Sequence, residues 1–140
     1  MTIIQIVMVA FILLEFSNIL AMYFSPGSKK ANAVGVFTAW EKSKQDPEVH
    51  DFVKYLVNWI AGTKLIFILL LIVIIFFADP VTQRISLVAL MVATATFYWR
   101  LFPLIRKMDG QGQIEPKNYS LVLGGMIAVF IAVFLIAVLV

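Results

Sequence analysis

The run Trp59-Ile-Ala-Gly-Thr-Lys-Leu-Ile-Phe-Ile-Leu-Leu-Leu-Ile-Val-Ile-Ile-Phe-Phe77 decides the fold. Its one charge is Lys64, and nothing in it alternates between apolar and polar. A helix rises about 1.5 Å per residue, so a run of this length crosses most of a hydrocarbon layer about 30 Å thick. A strand of a membrane barrel would be about 10 residues and would alternate. Three similar stretches flank it, at residues 3–24, 85–105 and 120–140. The reading is an all-α integral membrane protein, a four-helix transmembrane bundle in a single domain.

Composition agrees. Apolar residues make up 62% of the 140 and charged residues 14%, where soluble domains carry about 45–50% and about 25%. The chain has no cysteine, which excludes disulfides, thiolate metal sites and cysteine nucleophiles. The first stretch differs from a secretory signal: it has no basic leader and carries Glu15 and Asn18.

Helix boundaries follow from local chemistry. Asp46-Pro47-Glu48 reads as an N-cap followed by proline at the first helical position. No strong breaker follows before Ala78-Asp79-Pro80, so the second helix spans about 47–77, roughly 46 Å. Residues 78–84 form a tight turn that makes the second and third helices antiparallel neighbours; the third is expected at about 85–105 and the fourth at about 119–140. In the first loop, Ala33, Val36, Phe37 and Trp40 recur at i, i+3, i+4 and i+7. This is the stripe of an amphipathic helix at about 32–43, capped by Asn32 or Ser28. Flanking lysines suit it to the headgroup layer; packing on the protein's own bundle is the alternative. Phe24-Ser-Pro26 with Lys29-Lys30, and Phe102-Pro103 with Arg106-Lys107, hint at a duplication.

Basic residues set the topology. Lys29, Lys30, Lys42, Lys44 and Lys54 lie between helices one and two, and Arg106, Lys107 and Lys117 between three and four. The opposite side has only Arg84. The positive-inside rule puts both long loops in the cytoplasm and both termini outside, in a plasma or inner membrane.

Two stripes suggest packing faces. Helix four repeats Ser120, Gly124, Ala128 and Ala132 at every fourth position, which lets backbones approach in lipid. Helix three carries Ser86, Ala89, Ala93, Thr96, Arg100, Pro103 and Lys107 at seam spacing, beside an aromatic belt at Phe97, Tyr98, Trp99 and Phe102.

The candidate intramembrane polar site is Glu15, Asn18, Lys64, Arg100 and Asn58. A charge at the bilayer centre costs at least about 2.5–3.5 kcal/mol, so each needs a partner, a wet cavity or a route to the interface. Lys64 and Arg100 can snorkel, whereas Glu15 is too short. Glu15 lies about 13 Å from the cytoplasmic side and Lys64 about 9 Å, near enough for the lysine stem to join them. Glu15 is then either a structural ion pair or a proton site.

No catalytic motif is present. His50 reads as solvated surface, Ser17, Ser25 and Thr63 have no histidine base, and nothing implies a metal or cofactor. No aromatic–basic run suggests nucleic acid. In length and span number the chain is similar to small eicosanoid and glutathione membrane enzymes, and in its buried glutamate to rotary-ATPase proteolipids. It lacks the first group's Arg- and Asn/Glu-rich second helix and the second group's glycine-striped helix, so no residue role carries over. Three functions fit: a transporter or channel component acting as a homo-oligomer, an accessory subunit docking a larger membrane partner, or a lipid-modifying enzyme near Lys54, Asn58 and Arg100.

Overall fold

A computed structural model of the chain describes residues 1–30 and 33–140. Six α-helices follow in order: α1 Ile3–Phe24, α2 Thr38–Ser43, α3 Pro47–Phe77, α4 Pro80–Ala95, α5 Phe97–Gly110 and α6 Tyr119–Leu139. Four segments among the described residues are long and apolar enough to cross a membrane: α1, α3, α4 with α5 taken as one, and α6. Their outward faces carry bare apolar side chains such as Phe76, Phe77, Leu139 and Val129. Water would not tolerate such a surface, whereas lipid matches it. The protein is a multi-pass membrane protein built as an all-α bundle.

The helices α1, α3 and α4 each start on an N-cap side chain. Thr2 and Gln5 form a reciprocal capping box on α1. Asp46 Oδ1 accepts from the Glu48 and Val49 amides at 3.1 and 3.3 Å, with Pro47 in the first turn. Asp79 does the same for Val81 and Thr82, with Pro80 following. The third span therefore begins at Pro80 rather than at 85, because its first turn is polar but properly capped. The Thr82 hydroxyl and amide hydrogen bonds hold the Asp79 carboxyl below the usual range.

That span is also not one helix. It breaks at Thr96, whose hydroxyl donates to Ala93 O at 2.6 Å. α5 then runs through Pro103 to Gly110, beyond the expected end at 105. Pro103 sits inside a helix while Pro26 follows the end of one, so the two resembling motifs do different jobs.

α1 packs most extensively on α3, and α4 on α6; α3 and α4, though joined by the tight turn, share fewer contacts. One core lies toward the termini, where Met8, Phe11, Leu71, Leu87 and Phe134 are buried together. Phe11 meets Phe67, Phe130 and Phe134 edge-on. Gln5 and Gln83 donate side-chain amides to the Ile75 carbonyl, and Gln83 also to Ala78 O, satisfying the C-terminal carbonyls of α3.

The first loop departs from the expected helix at 32–43. A single turn at Val34–Val36 is followed by extended Phe37, then by the six-residue α2. Phe37 pairs with Ile114 of the second loop: Thr38 N donates to Gln113 O at 2.9 Å and Glu115 N to Val36 O at 2.8 Å. Gly35 permits this path, since a side chain there would collide with the Gly27 carbonyl. The stripe is real but buried: Ala33, Val36 and Trp40 pack into the protein, so Trp40 is withheld from the headgroup layer. Val36, Ile105, Ile114 and Leu123 form a small core beneath the two loops, and Lys29 Nζ meets Glu115 at 2.6 Å across them. That ammonium holds the Glu115 carboxyl below its ordinary range. Ser28 caps only the Lys30 amide, and Asn32 lies outside the described residues.

Candidate intramembrane site

Glu15 sits midway along α1, on the side turned to α3, and Lys64 faces it. Ala61, fully buried, lets the two backbones approach, and Ile19 and Ile68 pack around it. Lys64 Nζ lies 2.5 Å from Glu15 Oε2. The two side chains keep 27% and 22% of their exposure, so the pair is sheltered but still reachable. Such a pair gains from mutual attraction and loses hydration; removing one partner leaves a charge with neither.

Glu15 has a second neighbourhood. It lines a groove of about 350 Å³ between α1 and α6, with Ser17 and Asn18 along the α1 wall and Lys29 and Lys30 at the loop end. Phe11, Leu14, Met126 and Phe130 form the deeper part, with Val122 nearer the loop end. The groove thus grades from basic, through polar, to apolar along the membrane normal.

The other two candidates lie apart. Asn58 lines a cavity of about 280 Å³ with Tyr23, Trp40, His50 and Lys54. Lys54 pairs with Asp51 at 3.1 Å on the exposed face. Arg100 is exposed, its guanidinium 5.4 Å from the Trp99 ring centre. His50 is half-buried rather than solvated: it packs on Trp40 at 4.7 Å, with Nδ1 2.8 Å from Ser43 Oγ. The buried Ser43 hydroxyl also donates to Trp40 O at 2.7 Å.

The packing stripes meet the chain's own bundle only in part. Ser120 and Gly124 are buried, whereas Ala128 and Ala132 are exposed. Steps of four advance about 40° each at 3.6 residues per turn, so three steps swing the stripe off the contact. The buried face drifts instead to Leu123, Phe134 and Ala137. At Gly124 the Phe102 ring occupies the space a Cβ would need, and the Tyr98 hydroxyl donates to Gly124 O at 2.5 Å. On the third span, Ala89, Ala93, Thr96, Arg100, Pro103 and Lys107 all face outward. Gln83, Leu87, Leu90, Ile105 and Asp109 make the buried side.

A polar cluster unforeseen in the sequence holds the start of α6. Asp109 accepts from the Ser120 hydroxyl at 2.6 Å and from the Ser120 and Asn118 amides at 3.0 and 3.1 Å. It caps a helix from a different one. The left-handed Asn118 that precedes α6 and makes no side-chain cap of its own is the only local hint.

Comparison with protein-family models, curated proteins and solved structures finds no match.

Proposed function

We propose that this chain is a small transporter or channel component that works as an oligomer in the cell membrane, with Glu15 as its intramembrane acid. One observation carries the reading: Glu15 both binds Lys64 and lines the groove that leads to the basic loop. A carboxylate there prefers the ammonium. A protonated carboxyl loses that attraction and frees Lys64, so proton uptake from the groove and release of the ion pair are coupled.

The oligomer is supported by the outward stripe of α4 and α5. Small and polar residues there, Arg100 among them, would face lipid in a lone bundle. A second copy would cover them. The same stripe favours a second reading, an accessory subunit docked on a larger membrane protein. Positive-inside asymmetry orients both long loops to the cytoplasm.

In proteoliposomes enclosing a pH dye, the wild-type chain should dissipate an imposed pH gradient faster than empty vesicles, and Glu15→Gln should not. Equal rates for both proteins would remove Glu15 from the pathway. Cysteines at the exposed positions Gln45 and Gln111 should resist an impermeant maleimide until cells are lysed.

A further inference from the structure

We infer that the α1–α6 groove is a binding site for an anionic phospholipid. The inference shares the groove of the transport reading and rests on its membrane placement, but requires no flux. Three levels of the groove match three levels of such a molecule. Lys29 and Lys30 follow the end of α1 at Phe24, and both line the groove's mouth. Lys29 is held by Glu115 at 2.6 Å. Lys30 is exposed and has no ion pair among the described residues, so its ammonium is available to a phosphate.

Asn18 lies six residues inside α1, about 9 Å deeper at 1.5 Å per residue. Its side-chain amide has no hydrogen-bond partner among the described residues and lines the groove, at the depth of glycerol esters that can accept from it. The Ser17 hydroxyl is already spent on Leu14 O at 2.7 Å. Deeper still, Leu14, Phe11, Met126 and Phe130 form an apolar floor for one acyl chain.

The volume of about 350 Å³ is at the small end of ligand sites, about 300–1,000 Å³. That volume is too small to seat a partner helix, about 10 Å across. The charge selects the headgroup. Lysine near an anionic lipid gains about fivefold in binding, whereas a zwitterionic choline headgroup sets its own cation against Lys30.

Native mass spectrometry of the full chain, titrated with dioleoylphosphatidylglycerol or dioleoylphosphatidylcholine, reads the preference directly. One phosphatidylglycerol per chain should be retained, at least about fivefold more tightly than phosphatidylcholine. Lys30→Gln should abolish most of that preference. Met126→Trp, at a half-exposed position on the groove wall, should expel both lipids while circular dichroism in lipid-free detergent stays unchanged. Equal retention of the two lipids, or a Lys30→Gln protein with undiminished preference, overturns the inference. Retention by Met126→Trp puts the lipid elsewhere and also overturns it, as does glycerol 3-phosphate competing as well as the whole lipid. Glu15→Gln separates the two readings, since loss of flux with phosphatidylglycerol still bound refutes neither the site nor its occupant.

Discussion

Replacing Glu15 with glutamine preserves size and removes only the charge that Lys64 faces. A fully exposed ion pair contributes about 0–1 kcal/mol, and breaking a fully buried one costs about 3–5 kcal/mol. This pair retains roughly a quarter of its exposure, which puts it nearer the buried case. The lysine stem can relax toward the loop side, which lowers the cost of stranding it. Glu15→Gln should therefore destabilise by about 2 kcal/mol, and adding Lys64→Met should restore about 1 kcal/mol by removing the unpaired ammonium. Unfolding in mixed micelles of increasing SDS fraction, followed by circular dichroism, gives the four free energies of the cycle. Independent sites add to within about 0.3–0.5 kcal/mol. A coupling inside that margin would refute the argument that each charge stabilises the other.

Gly124→Leu should destabilise by about 2–3 kcal/mol, because the Phe102 ring already fills the site. Gly125→Leu, with open space around it, should be nearly neutral in the same assay. Asp109→Ala should cost about 2 kcal/mol and fray the start of α6, seen as faster amide exchange at Ser120. The loop pairing should loosen in acid. The lowered Glu115 carboxyl contributes fully above the ordinary carboxylate range, and its contribution is lost as pH falls through its folded value. Exchange of the Glu115 amide bonded to Val36 O should speed up over that interval, and Glu115→Gln should remove the pH dependence.

The spans were legible because lipid imposes one crude demand, long apolar helices with internally satisfied backbones. Helix ends were legible where a single local motif sets them: Asp46-Pro47 starts α3 as its sequence implies. The same motif at Asp79-Pro80 is masked by the polar residues after it, so apolar content alone places the helix start five residues too late. The break at Thr96 had no comparable signature. Periodicity left the partner open at both stripes. Small residues every three or four positions mark surfaces on which backbones can approach, but they do not say whether the approaching surface belongs to the same chain. On α6 the contact leaves the stripe after Gly124, and on α4 and α5 the stripe faces away altogether.

The site divides along the same line. Glu15 and Lys64 could be matched by depth, because a shared membrane normal gives two helices a common ruler. Asn58 and Arg100 also lie in the halves of their spans nearer the two long loops, yet depth leaves rotation about the helix axis free, and rotation sends them to other faces. The two loops had no ruler at all. Lys29 with Glu115, and Phe37 with Ile114, are 86 and 77 residues apart along the chain, and Gly35 permits the close approach to Gly27 by which the first loop folds back on itself. A hydropathy reading treats such loops as solvent-facing tethers. Here they join into a small core that brings Lys29 and Lys30 to the mouth of the Glu15 groove. The polarity gradient of that groove therefore depends on loop packing as much as on the spans.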